Sequence, residues 1–593
     1  MIFASMQHVM RLLGLLLIAP LSLPAYTFTS VDGREFEGEL ISVSDSVISV
    51  RRAVDGVIFE VAPTLFSAAD QAYFTTWEPM QEPRTFRLDS NESIRSLPRQ
   101  LRVDLIWQRE HYTDFEVQRA ETAIGEWITL QNPTPQLHVF SDYIGEPHKH
   151  YFYRVRGLVK KYQKITETGD WSDVVDATTT PYSREGFMEE VQEAAVRFYF
   201  EEAHPLSGLS PEGQPGWGDI CAIGSTGMGM ANIIVGVERG FVSREQGSAL
   251  ALKMLRFLET KAERHNGAWG HWLDGATGVT RNFGKQKNSV DLVETSFLIQ
   301  GAILLREYFD TADPVEQELR IVANRLSHSV QWDAFMIGEP GQRVMQWHWH
   351  PDLGFSGVPI AGFHEAMMPY LLGIASEDYP ISVESFFSGW MNRGRGFGIP
   401  QEHFGVKHEL GRWISWPLFF AHYSHIGFDP SQVSYSGKTY AEHFTDATRI
   451  HQLYSQSRAD EFKGYDQLWG LAASLNPTGY RANHPGPKDD GTIATTAALS
   501  SMPYLPEAVK TCMETMYLDY GKELWGAYGF YNAINPSKEW VGQKYIGIEL
   551  GPIAPMIENY RSGLLWRLFM QSPEAQCALK RLRENETTRQ YVP

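Results

Sequence analysis

The stretch Arg184-Glu185-Gly186-Phe187-Met188-Glu189-Glu190-Val191-Gln192-Glu193-Ala194-Ala195-Val196-Arg197-Phe198-Tyr199-Phe200-Glu201 decides the fold. Phe187, Val191, Ala194 and Phe198 recur at i, i+4, i+7 and i+11, the spacing of one helix face. Upstream of Ser183 the apolar residues alternate; downstream they keep a helical period. Ser243 with Gln246 makes a capping box, and Asp313-Pro314 with Glu316 makes another helix start. Further helical stretches are expected at 226–238, 287–309, 314–329, 364–374, 411–425, 461–474, 491–501, 505–519 and 553–571. The loops between them carry the Gly, Pro, Trp and His. Helices of this number and length suit a barrel of paired helices with a cleft at one end. Another large helical fold would show the same periodicity.

Working upstream, residues 94–182 read as a β-sandwich. Leu105 and Trp107 alternate on one run, Phe115 and Val117 on the next, and Tyr151-Phe152-Tyr153-Arg154-Val155-Arg156 looks like a late strand of a fibronectin type III domain. Residues 77–93 are polar, with Pro and Glu, and suit a linker. Residues 26–76 form short strand-like runs (Phe36, Leu40, Val47, Ile48, Val50, Ile58, Phe59, Val61) broken by turns, with a helical tail at Ser67–Tyr73. They resemble the small SH3-like barrels called SLA1 homology domain 1, so this module is read as an interaction or spacer unit for an unknown partner. Residues 1–25 read as a secretory signal, with Arg11 ahead of the apolar run Leu12–Leu23. A secreted or periplasmic protein with no integral membrane span is expected.

Composition narrows the function. The 593 residues exceed one core. Hydrophobic residues at 43% and charged ones at 21% are ordinary globular values. Aromatics reach 13%, with 17 Trp, which suits stacking on sugar rings as well as a Trp-rich core. The net charge of −19 repels phosphate backbones and anionic lipid, so nucleic acid is excluded as a partner, while a neutral polysaccharide is indifferent to it. Cys221, Cys512 and Cys577 are scattered and form no disulfide framework or metal motif.

Carboxylates in apolar settings mark the candidate chemistry. In Gly362-Phe363-His364-Glu365-Ala366-Met367-Met368-Pro369-Tyr370-Leu371-Leu372, Glu365 sits in an apolar, helix-like run, where lost hydration favours a protonated carboxyl. In Ser289-Val290-Asp291-Leu292-Val293-Glu294, Asp291 and Glu294 lie three apart on one face. Two like charges facing inward raise one of the two pKa values; a solvated acidic face is the plainer reading. Glu549, just before a helix, is expected to be kept ionised by the helix dipole, which suits a base; a simple helix cap has the same sequence. Asp219 lies in a Gly-rich helix entry without Walker spacing, so it is read as a partner for sugar hydroxyls or as a turn residue. His348-Trp349-His350 and His422-Tyr423-Ser424-His425 lack zinc spacing and read as polar cleft walls; no metal and no cofactor are expected.

Seven motifs then occur in order: Asp-Ile-Cys-Ala-Ile-Gly-Ser-Thr-Gly from Asp219, Gly-Val-Glu-Arg-Gly from Gly236, Asp-Leu-Val-Glu-Thr-Ser from Asp291, Gly-Phe-His-Glu-Ala-Met from Gly362, His-Tyr-Ser-His from His422, Trp-Gly-Ala-Tyr-Gly-Phe from Trp525, and Gly-Pro-Ile-Ala-Pro-Met-Ile-Glu-Asn-Tyr-Arg-Ser-Gly-Leu-Leu-Trp from Gly551. Over about 200–580 they resemble the glycoamylase-like domain of bacterial β-1,2-glucanases, glycoside hydrolase family 144. The resemblance implies an all-α (α/α)6 barrel over 183–593 and anomer-inverting hydrolysis of β-1,2-glucan without a cofactor. It places the general acid on Glu365, the helix carboxylates on Asp291 and Glu294, and the base on Glu549. Two positions depart from the family's pattern: Glu549-Leu550 stands for Asp-Gln, and Asn532 for Asp before Ala533-Ile534-Asn535.

On this reading Glu365 protonates the leaving oxygen and Glu549 activates water from the opposite face, directly or through hydroxyls. In an inverting pair the carboxyls stand roughly 6.5–9.5 Å apart. Trp217, Trp347, Trp469 and Tyr560 are candidate stacking platforms. Asp219, His364, His422, Tyr423, His425 and Arg561 are candidate sugar contacts. A β-1,2-glucan transglycosylase, or a protein that only holds glycan, would carry the same residues. Products longer than the donor identify the first; retention without cleavage identifies the second.

Overall fold

Runs of alternating residues form strands and the 3.6-period runs form helices. The computed structural model describes residues 26–592, apart from 32–33, 44–47, 53–57, 77–87, 89–91, 109–110, 162–163, 284–288, 340–342 and 396. The expected signal at 1–25, Val47 and most of the 77–93 linker lie outside the described residues. The chain divides into two compact units between residues 82 and 83.

In the first unit, strands Tyr26–Thr29, Glu35–Val43, Ile48–Arg52 and Ile58–Val61 pair antiparallel in sequence order. Phe28, Ile48, Val50, Phe66 and Phe74 are buried, the last from helix Ala68–Thr76. Asp70 accepts from the Thr29 N–H at 2.9 Å and from Ser67 Oγ at 2.8 Å, tying the helix to the first strand.

The second unit begins with two packed antiparallel sheets. One runs Ile94–Arg99, Arg102–Trp107, Val139–Tyr143; the other is built around His150–Lys161 and Asp114–Ala120. Their shared core includes Val103, Leu105, Trp107, Phe115, Val117 and Tyr153. Leu101, Ile106, Leu137 and Val139 instead pack into the core of the helical region, so the sandwich is fused to it.

A cluster of buried charges sits at this seam. Arg99 reaches Glu193 of helix Arg184–Glu201 at 2.9 and 2.5 Å, and Arg102 reaches Asp104 at 3.1 Å and Glu190 at 2.6 Å. Arg197 pairs with Glu201 at 2.9 Å. Burial opposes the charge of Asp104, but Arg102, Arg99 and Arg197 hold it down at about 2.

In the helical region, helices Ile223–Glu238 and Leu292–Tyr308 are buried nearly all round, whereas Arg244–Thr260 and Pro314–His328 bury one face. The buried pair approaches closely: a Cβ on Gly227 or Gly301 would strike the other helix's backbone. Both expected caps form. Ser243 and Gln246 cap reciprocally, and Asp313 accepts from Val315 and Glu316 N–H.

The helices expected over 287–309 and 491–501 begin later, at Leu292 and Thr495, behind short strands, and four other stretches differ. Residues 411–425 hold only short 3-10 turns at Leu418–Ala421 and Tyr423–His425, because Gly411 (φ 81°) and Trp413 (φ 66°) are left-handed and Pro417 has no N–H. Residues 461–474 are turns running into strand Ala473–Asn476, with Gly464 at φ 87° and Gly470 at φ 118°. Gly563 (φ 67°) divides 553–571 into helices Ile553–Ser562 and Leu564–Gln571. The helix expected from 364 starts at Met368, with Pro369 in its first turn.

Candidate active site

Four short strands run straight into helices: Ile220–Ala222 into Ile223–Glu238, Val290–Asp291 into Leu292–Tyr308, Ile493–Ala494 into Thr495–Ser500, and Tyr545–Ile546 into Gly547–Leu550. Helix N-termini leave N–H donors unpaired, and carboxylates gather there. Asp291, fully buried, is the N-cap of its helix: Oδ1 accepts from the Val293 and Glu294 N–H at 3.0 and 3.1 Å. Its Oδ2 lies 2.9 Å from His271 Nδ1 and 3.2 Å from His348 Nε2. Burial opposes its charge, but the two imidazoles hold it well below the carboxylate range. Glu294 accepts the Gly224 N–H at 2.7 Å, an approach open only to glycine, since a Cβ there would collide with the carboxyl. Burial pushes Glu294 up to about 8, with Asp291 and Glu212 adding to the shift and His271 opposing it. Burial disfavours His271⁺, yet Glu294, Asp291 and Glu212 raise it to about 9. As the like-charge argument predicts, one acid of the pair is raised while the other stays ionised.

Glu549 sits in the first turn of Gly547–Leu550 and is buried. Asn532 Nδ2 donates to its Oε2; Oε1 is enclosed without a hydrogen-bond partner. Burial pushes Glu549 up to about 8, against the stabilising contacts of Tyr480 and Asn532. The helix dipole was expected to keep this acid ionised, and desolvation outweighs it. The two positions that depart from the family's pattern, Asn532 and Glu549, therefore touch each other.

Glu365 lies in the turn before helix Met368–Ala375, with its carboxyl 3.6 Å from His364 Nδ1. Ser424 Oγ donates to the Glu365 carbonyl and accepts the Met368 N–H, pinning that turn. Tyr423 draws the acids together: burial raises its phenol well above the usual value, and Glu549, Glu365 and Glu294 each add to the shift. Trp347 stacks beside His364 at 5.7 Å and 23° between planes.

Other expected contacts lie elsewhere. Trp469 is buried core, with 2% exposure, and offers no platform. His422 (held near 3 by burial, then His425) bonds Ser501 Oγ, and His425 (held near 4 by burial) bonds the Phe428 carbonyl; both are neutral core residues. Tyr560 meets Lys510 Nζ at 3.1 Å and Arg561 faces Glu189 at 3.7 Å, on the side of helix Arg184–Glu201. The Asp219 side chain is 72% exposed and pairs with His204 at 3.3 Å. Trp217 packs edge-on against Trp272, the neighbour of His271, at 5.7 Å between ring centres.

Three residues were missed from sequence. Glu212 is held by pairing of Gly213–Gln214 with Tyr545–Ile546, and its carbonyl accepts the Gly547 N–H at 2.8 Å. Burial raises its carboxyl, with His271 opposing. Its only sequence signal is an acid inside a Pro- and Gly-rich loop. Tyr480, on the hairpin Ala473–Asn476/Gly479–Ala482, is 56% exposed as a residue but turns its hydroxyl toward Glu549, where local enclosure and that carboxylate raise it. His271 sits in Trp269-Gly270-His271-Trp272, where nothing distinguishes it from a core histidine.

Among the described residues, His271, Asp291 and Glu294 bring possible ligand atoms within 4.8 Å of one another. The donor set does not fit an ion well. Asp291 already holds two backbone N–H groups and two imidazoles, Glu294 holds Gly224, and His271 turns Nδ1 toward Asp291. His271 bonds Asp291 and stands 3.9 Å from the Glu294 carboxyl, so the three groups share charge and protons among themselves.

Residues 357–573 match the glycoamylase family model, described as putative glucoamylase. An exo β-1,2-glucooligosaccharide sophorohydrolase of Parabacteroides distasonis is 35% identical over 503 residues, covering 81% of this chain and 69% of that protein. The crystal structure of a β-1,2-glucanase from Parabacteroides distasonis superposes with a TM-score of 0.78 at 30% identity, over 95% of this chain and 86% of that one. An endo-β-1,2-glucanase from Chitinophaga pinensis, in complex with sophorotriose and glucose, gives 0.65 at 37% identity over 68% of this chain and 98% of that one.

Proposed function

The chain belongs to the glycoamylase-like family of glycoside hydrolases, and on that premise we propose that it hydrolyses β-1,2-glucan with inversion at the anomeric carbon. The observation that carries the mechanism is the convergence of Glu365, Glu549 and Glu294 on Tyr423 from distant parts of the chain. Glu365, at the partly open side, protonates the leaving glycosidic oxygen. Glu549, with one oxygen free of partners, accepts the proton of the attacking water, directly or through the Tyr480 hydroxyl. A carboxylate raised toward 8 is a stronger base once ionised than one at 4.5, and works best near the pH of its pKa. Asp291 and His271 orient Glu294, which donates or accepts at a sugar hydroxyl; Trp347 and His364 flank the sugar beside Glu365.

The helical region is proposed to close as an (α/α)6 barrel over 183–593. The sandwich at 94–182 is assigned to the fibronectin type III class and 26–76 to the SH3-like class. Export through a signal at 1–25 completes the proposal.

Chromatography of products from β-1,2-, β-1,3- and β-1,4-glucans, with NMR of the first anomer released, tests the function. Release of α-anomer from the β-1,2-polymer alone is expected. Initial release of β-anomer, or cleavage confined to another linkage, would overturn it.

A further inference from the structure

The seam between sandwich and helical region contains an open groove of about 530 Å³, lined by both. It is separate from the acid cluster: none of Glu212, His271, Asp291, Glu294, Glu365 or Glu549 lines it. Its walls combine aromatic rings with paired charges. Tyr143 and Tyr151 contribute half-buried rings, and Trp525 and Tyr531 lie behind them at 4% and 2% exposure. Arg119 Nη1 bonds Asp142 at 2.8 Å, with the guanidinium 4.5 Å from the Tyr151 ring centre. Arg119 Nε is enclosed and finds no partner. At the rim Lys149 pairs with Glu146 at 2.9 Å. Lys522 and Glu523 complete a set of three cations and three anions.

Balanced charge gives no pull on a phosphate or an acidic chain. The same ion pairs present donors and acceptors to hydroxyl groups, and the half-buried Tyr143 and Tyr151 add apolar edges and phenol hydroxyls. We propose that this groove is a second carbohydrate site, holding a neutral oligosaccharide stretch away from the cleft. Only the expected linkage, β-1,2, rests on the proposed function. The chemistry of the ligand, neutral and polyhydroxylated, rests on the groove itself.

Tyr531 is followed by Asn532, which holds Glu549, so variants on that wall would disturb catalysis. Tyr151 and the exposed Gln131 lie on the sandwich wall and are free of that link. The test is calorimetric titration of a β-1,2-glucooligosaccharide into the full chain carrying Glu365→Gln, alone and with Tyr151→Ala or Gln131→Ala. Two sites per chain are expected in the parent, with one of them weakened about five-fold or more in each variant. In separate variants that keep Glu365, turnover of short oligosaccharides should stay within about two-fold of wild type, as expected for separated sites. One site in the parent, or two undiminished sites in both variants, overturns the proposal. Should Tyr151→Ala fail to fold, Gln131→Ala decides alone. Wild-type cleavage without a second site would sink the groove and leave the function standing. A second site without cleavage would do the reverse.

Discussion

Two regions of this molecule bury charge, and they do so in opposite ways. At the seam, Arg99, Arg102 and Arg197 enclose Asp104, Glu190, Glu193 and Glu201, and cations answer anions. In the acid cluster, Glu212, Asp291 and Glu294 surround one raised imidazole, His271, while Glu549 is buried against Tyr480 and Asn532. Matched burial drives Asp104 down to about 2; unmatched burial drives Glu294 and Glu549 up to about 8. The first arrangement fixes how two modules join. The second stores protons near neutral pH, which is what acid–base chemistry uses.

The largest expected effect lies in the cleft. Glu365→Gln should lower kcat by about 10²- to 10⁴-fold with little change in KM, measured on a β-1,2-glucooligosaccharide. A rate within a few-fold of wild type would remove Glu365 from the chemistry. At the seam, Asp104→Asn removes a carboxylate that Arg99, Arg102 and Arg197 all face. It should cost about 3–5 kcal/mol in denaturant unfolding, while turnover per folded molecule stays unchanged. Loss of turnover without loss of stability would make the seam part of the active site.

The two regions also respond to opposite ends of the pH scale. A carboxyl raised from 4.5 to about 8 binds its proton more tightly when folded, so its contribution to stability is complete below pH 4.5 and is lost as pH rises through 8. His271, raised from 6.5 to about 9, loses its contribution between those values. Asp104, lowered from 3.8 to about 2, contributes above 3.8 and loses its contribution as pH falls through 2. Thermal stability should therefore decline from pH 5 to 9 because of the cleft. Glu549→Gln should flatten that decline, gaining Tm over wild type at pH 8 but not at pH 5. Parallel Tm curves for the two proteins would contradict the unmatched-burial account.

The acids of the second region were legible in sequence, the ion pairs of the seam were not, and what stayed hidden had definite reasons. Asp291 and Glu294 announced themselves by helical spacing next to apolar residues, and Glu365 by its apolar run. His422 and His425 carried the same kind of signal and turned out to be core, because composition does not reveal whether Ser501 or the Phe428 carbonyl waits opposite. Trp469 failed for a related reason: a Trp in a turn-rich stretch reads alike whether the turn faces solvent or core. Glu212 stayed unseen because its loop is brought to the site by pairing with a distant strand, and Tyr480 because a short polar hairpin gives no sign of which way its ring turns. The breaks at 411–425 and 461–474 came from left-handed residues (Gly411, Trp413, Gly464, Gly470) and Pro417, which the apolar pattern does not register.

The pH dependence of kcat/KM on β-1,2-glucan tests the central claim most directly. If burial without a compensating cation poises the proton acceptor, the acidic limb should bend far above 4.5, toward about 8, and Glu549→Gln should abolish turnover across the range. An acidic limb at the ordinary carboxylate value, with Glu549→Gln still active, would contradict the account.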